Sequence, residues 1–207
     1  MERKSQLFWL LILTLLGIGK LDLFAQEEAQ NLVRNASFEE GKVGWSVWVE
    51  GAAGVQWDVD PWEQVHGKQS LLIDIFGAGN GQRVELHQNP FNLQQGQRMT
   101  FALWLKADNV RQARMIVNHR QAPWTVYGST DILIDVEWKE FWVAANINQN
   151  DDIVGIYLEL RDTPKGQVWV DYVRFYEGEF EPSEFAEEEL AVAPQGKLAV
   201  RWADLKR

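Results

Sequence analysis

"MTFALWLK", residues 99–106, decides the fold class. Met99, Phe101, Leu103 and Leu105 fall on one side of an extended chain, and Thr100, Ala102, Trp104 and Lys106 on the other. An apolar period of two marks a β-strand with one face in a core. Val84 and Leu86, set against Arg83, Glu85 and His87, repeat the pattern. Outward from there, short apolar runs recur at 70–76, 83–88, 114–118, 132–136, 138–145, 153–160 and 168–176. Turn signals separate them: Asn89-Pro90, Gln95-Gly96, Asp108-Asn109, Asn150-Asp151-Asp152 and Pro164-Lys165-Gly166, with a glycine-rich loop at 77–81. No long helical periodicity intervenes. The spacing predicts an all-β sandwich or barrel over about 31–177.

The two ends differ from this body. Arg3 and Lys4 precede an apolar run over 7–18, and Leu23-Phe24-Ala25 ends in a small residue. That is the layout of a secretory signal over 1–25, too short for a membrane span. The expected order is then a module over 26–177, an acidic linker over 178–196 and a basic tail over 197–207. Residues 177–189 hold seven glutamates, a composition of linkers. In the tail, Leu198, Trp202 and Leu205 make one short amphipathic stripe among Lys197, Arg201, Lys206 and Arg207.

Composition narrows the function. The formal charge of −10 argues against nucleic acid, whose phosphates require a basic surface. Cysteine is absent, so an exported chain must rely on core packing or a metal rather than disulfides. The expected location is secreted or at the cell surface, with no membrane contact by the mature form. Of 11 tryptophans, nine lie between residues 45 and 169, more than a sandwich core needs. His66, His87 and His119 make no zinc-hydrolase motif, and no Gly-x-Ser-x-Gly elbow occurs. An isolated sandwich of this size reads as a binder rather than an enzyme.

The segment "NLVRNASFEEGKVGW" (31–45) resembles the opening of carbohydrate-binding modules of the family 4/9 type, which are galactose-binding-like jelly rolls. Asn31, Leu32, Asn35, Phe38, Glu39, Gly41 and Trp45 carry the likeness. "HGKQSLLID" (66–74), "QNPFNLQQGQRMTFALWLKA" (88–107), "VEWKEF" (136–141) and "VWVDYVRF" (168–175) extend it in order. The resemblance implies a jelly-roll β-sandwich with one structural Ca2+ near the first and last strands. Its ligands would be Ser37 and Lys68 through main-chain carbonyls, Glu39 through its carboxylate, and Asp171 through side chain and carbonyl. Such an all-oxygen set suits a hard cation.

The same resemblance implies a polysaccharide or oligosaccharide ligand near Arg83, Glu85 and His87. "NHRQAPWTVYG" (118–128) brings Asn118, Arg120, Trp124 and Tyr127 into one predicted loop, where binding residues concentrate. Trp62, like Trp124, adjoins a proline in a turn and is a further candidate for stacking on sugars. Trp45, Trp138 and Trp169 read as core. A rival reading makes the sandwich a scaffold at the cell surface, with the basic tail as a sorting peptide or the docking point for a partner.

Overall fold

The computed structural model describes residues 30–51, 53–77, 83–161 and 164–185. The expected signal and the basic tail lie outside the described residues, as do 78–81 of the glycine-rich loop. Ten strands follow one another: β1 (Ser46–Val49), β2 (Gly54–Asp60), β3 (Ser70–Gly77), β4 (Val84–Leu93), β5 (Arg98–Ala107), β6 (Arg111–His119), β7 (Val126–Ile134), β8 (Lys139–Asn146), β9 (Asp151–Leu160) and β10 (Gly166–Glu177). They form two five-stranded sheets, sheet A in the order β1-β4-β9-β6-β7 and sheet B in the order β2-β3-β10-β5-β8. The pairings within both sheets are antiparallel. This is the expected all-β jelly-roll sandwich.

The core is the sum of the inward faces. Met99, Phe101, Leu103 and Leu105 of β5 all enter it, as the alternation predicts, with Ile73 and Ile75 of β3 and Val84 and Leu86 of β4. Strands β1 and β2 were not among the predicted runs. β1 has four residues at a sheet edge, alternately exposed and half-buried, so its apolar signal is short. Trp57 lies within β2 and packs against the core. β7 starts at Val126 and ends at Ile134 rather than spanning 132–136. Its exposed positions mix Ser129 and Asp131 with Val126 and Leu133, so no continuous apolar run marks its first half. Trp45 joins the core, Trp138 is half-buried, and Trp169 is buried outside the core cluster, its indole N–H donating to Asp60 at 2.8 Å.

The chain's opening is tied to its last strand. Leu32 N donates to Phe175 O at 2.8 Å, Val173 N donates to Ala36 O at 2.8 Å, and the Asn31 amide bonds Val173 and Phe175. Within the opening turn, Asn35 has φ 52° and Phe38 φ 57°. Asparagine tolerates that left-handed backbone, and its side chain braces the turn by donating to Gly41 O and accepting from Glu40 N. The Trp45 indole N–H donates to Asn35 O, and its ring meets Phe38 at 5.2 Å.

The segment expected to begin an acidic linker is instead packed on sheet B over 178–185. Phe180 stacks on Trp142 with ring centres 4.8 Å apart, and Phe185 lies against Tyr172 and His66. The Trp104 indole donates to Ser183 Oγ at 2.9 Å, which explains why the "polar" face of β5 carries a buried tryptophan. Apolar and hydroxyl side chains between the glutamates make these contacts, with Glu179 paired to Arg98 at 2.9 Å.

Candidate functional site

The outer face of sheet A carries rows of side chains set by strand register. One row runs Ser46, His87, Tyr157, Ile116 and Ser129 across β1, β4, β9, β6 and β7. The next runs Trp48, Glu85, Glu159, Arg114 and Asp131. On the other flank Asn118 faces Gly155, and the turn after β6 brings Arg120 and Trp124 over the sheet. At the β1-β4-β9 end of these rows lies a depression of about 630 Å³, lined by Trp48, Arg83, Glu85, His87, Asn118, Arg120, Trp124 and Tyr157.

Of the eight residues expected to contact a saccharide, the structure brings six into this depression: Arg83, Glu85, His87, Asn118, Arg120 and Trp124. It does not bring Tyr127 or Trp62 there. Tyr127 is a buried residue of β7 whose hydroxyl donates to Asp151 at 2.6 Å. Burial and that bond push its phenol up to about 12. Trp62 is 88% exposed and follows β2 of the other sheet, its amide capped by Asp60. Two lining residues, Trp48 and Tyr157, escaped the sequence reading. Tyr157 was findable in principle, since it occupies the outward phase of β9 and stands opposite His87.

The lining combines apolar faces with partnerless polar atoms. Trp48 is 42% exposed and Trp124 54%, so both offer indole surface to the cavity. Trp124 has φ 60°, a left-handed backbone that bulky residues rarely adopt, and its amide donates to Gln121 O in a tight turn. His87 Nδ1 and Asn118 Oδ1 are buried and have no hydrogen-bond partner. An unsatisfied buried polar atom costs roughly 1–3 kcal/mol, and native chains keep few of them.

Charge is arranged unevenly. The Arg83 guanidinium reaches Glu50 at 3.0 Å, Glu159 at 3.3 Å and Glu85 at 3.5 Å. The bond from Glu50 leads in raising its pKa. Burial raises the Glu85 carboxyl above the usual range, with Arg83 opposing. Burial and the nearby Arg120 charge lower His87, which favours its neutral ring. Arg120 itself lies over the Tyr157 ring at 4.9 Å and forms no ion pair with a carboxylate of the described residues.

The expected metal ligands converge elsewhere, on the turn 65–69. Asp171 Oδ2 accepts from Val65 N and His66 N, both at 2.8 Å, and its Oδ1 accepts from Tyr172 N. Glu39 Oε1 accepts from Lys68 N at 2.7 Å and Gln69 N at 3.3 Å. Ser37 Oγ is 2.8 Å from His66 Nδ1. Asp171 is fully buried, and burial pushes its carboxyl up to about 6. The described residues contain no group of three or more His, Cys, Asp or Glu side chains suited to a metal. A cation here would depend on main-chain carbonyls beside two carboxylates.

Known proteins match this chain in sequence pattern and in fold. The model of a carbohydrate binding domain family, of the 4/9 type, matches residues 30–165. No curated protein matches. Among solved structures, a family 4 carbohydrate-binding module is 19% identical, with 70% of this chain and 99% of that one covered and a TM-score of 0.57. A family 61 module solved with β-1,4-galactotriose is 14% identical, covers 72% of this chain and 100% of that one, and has a TM-score of 0.54. The xylan-binding CBM22-1 domain of Xyn10C from Paenibacillus barcinonensis is 16% identical, with coverage of 74% and 97% and a TM-score of 0.54. With the matched segment running from the opening turn through β9, the chain belongs to the carbohydrate binding domain family of the 4/9 type.

Proposed function

We propose that this protein is exported and binds a polysaccharide in the sheet A depression without cleaving it. One observation carries the reading: two partnerless buried atoms, His87 Nδ1 and Asn118 Oδ1, share a cavity with the exposed indoles of Trp48 and Trp124. Sugars need both features. Their C–H faces stack on aromatic rings, and their hydroxyls satisfy donors and acceptors held at fixed positions. One stacked face removes on the order of 100 Å² of apolar area from water, roughly 2–3 kcal/mol. A single stack alone gives affinity weaker than millimolar, so two indoles and several polar groups must act together. Affinity electrophoresis through gels containing xylan, β-1,4-galactan, β-glucan or mannan tests the reading. Retardation by at least one polymer supports it, and free migration through all of these and through glucuronoxylan, polygalacturonate and alginate refutes it.

A structural Ca2+ belongs to the same proposal. What supports it is the chemistry of the donor set. The donors are all oxygens, Asp171 is buried without a cationic side chain bonded to it, and Glu39 and Asp171 already share one turn. Ser37 and Lys68 carbonyls with the Glu39 and Asp171 carboxylates would hold the ion. There it would neutralise two carboxylates and join the opening turn to β10.

A further inference from the structure

The two guanidinium groups of the depression are treated oppositely. Arg83 is neutralised by three carboxylates, Glu50, Glu85 and Glu159. Arg120 forms no ion pair among the described residues; the Glu85 carboxylate lies within reach of its charge, and it bonds the Tyr157 hydroxyl. It lies on the Tyr157 ring at 4.9 Å, and it crosses β9 at Gly155. A Cβ at that glycine would come within 2.8 Å of Arg120 Cγ and 2.6 Å of its Cδ. The missing side chain at 155 is therefore what lets the arginine lie across the sheet. Beside it stand the His87 ring and Asn118, each with a buried polar atom unmatched. A positioned guanidinium that forms no ion pair, next to orphaned hydrogen-bonding atoms, suits a ligand that brings both an anion and hydroxyls.

We propose that the depression selects an acidic saccharide, a chain of neutral sugars bearing isolated uronate residues. One uronate carboxylate would pair with Arg120, and ring hydroxyls would meet Asn118 and His87. The inference rests on the polysaccharide-binding reading and names its ligand class. A carboxylate takes the two-pronged guanidinium through two parallel N–H···O bonds. Isolated charges fit better than continuous ones, because Glu50 and Glu159 stand at the Arg83 end, Glu85 lies between the two arginines, and together they would repel a second carboxylate. The formal charge of −10 also works against indiscriminate attraction of polyanions, so any preference must come from the site.

The experiment uses native glucuronoxylan, polygalacturonate and alginate, each beside its carboxyl-reduced form, with a sulfated galactan as a further anion. Reduction turns the uronates into neutral sugars and leaves the chain otherwise intact. The expected result is retention on native glucuronoxylan, weakened roughly tenfold to a hundredfold by reduction, the range of one charge-assisted hydrogen-bonded pair. Arg120→Gln should abolish that difference, and Arg120→Lys should restore part of it. Gly155→Ala, which displaces the arginine but keeps its charge, should weaken binding as well. Arg114→Gln, on the same face but paired with Asp131 outside the depression, serves as control. Thermal melts confirm that each variant is folded. Equal retention on native and reduced polymer overturns the inference while leaving polysaccharide binding intact. Equal retention on the sulfated galactan, lost in Arg120→Gln, overturns the choice of carboxylate. Stronger retention on polygalacturonate than on glucuronoxylan overturns the spacing argument. Free migration through every gel sinks both this inference and the reading beneath it.

Discussion

Replacing Trp124 by alanine separates a binding role from a structural one. The indole is 54% exposed, lies in the turn between β6 and β7, and lines the depression opposite no core residue. Its removal therefore takes little from the fold. The backbone at φ 60° is as awkward for alanine as for tryptophan, so that cost nearly cancels between wild type and variant. Binding is another matter. If Trp124 stacks on one sugar face, about 100 Å² of apolar burial is lost, roughly 2–3 kcal/mol. At 1.4 kcal/mol per decade this is a weakening of about 30- to 150-fold. Affinity electrophoresis on whichever polymer retards the wild type measures it, with a thermal melt alongside. Trp62→Ala is the matched comparison, since that indole is 88% exposed and outside the depression. The reasoning fails if Trp124→Ala binds within twofold of wild type, or if Trp62→Ala causes the larger loss.

Three other outcomes are expected. Ca2+ at about 100 times its dissociation constant should stabilise the fold by roughly 2.7 kcal/mol, raising Tm by about 5–10 °C over a chelated sample; Asp171→Asn should abolish that response, and an identical Tm with and without chelator would contradict the proposed site. Burial works to raise Asp151, but bonds from Tyr127, Ile153 N and His119 outweigh it and hold its carboxyl below the usual range. Its contribution is thus complete above about pH 4 and is lost as pH falls through the lower folded value; Asp151→Asn should cost roughly 2 kcal/mol at pH 7 and flatten the acid limb of a denaturation series. Phe180→Ala should cost about 1 kcal/mol through the stack on Trp142 and raise quenching of tryptophan fluorescence by acrylamide, whereas unchanged quenching would mean that the 178–185 segment does not cover sheet B.

What the sequence discloses follows from how local each signal is. The alternation in β5 is local, and its four inward residues all reach the core. β1 is too short and too wet to announce itself, so Trp48, which β1 delivers to the depression, could not be placed. Arg83, Glu85 and His87 on one side, and Asn118, Arg120 and Trp124 on the other, come from segments far apart in sequence. They meet because β9 pairs with both β4 and β6, a strand order that no short motif encodes. The same pairing brings Tyr157 between them, and Gly155 beneath Arg120. From sequence Gly155 is merely a weak position in a strand, yet in the sheet it is the gap that lets the Arg120 guanidinium reach the cavity. Tyr127 shows the converse. It shares a short polar and aromatic stretch with Trp124, but β7 turns it inward to Asp151 while the turn holds Trp124 outward. Proximity in sequence suggested one site; the two-residue period of a strand divided it into a core bond and a binding surface.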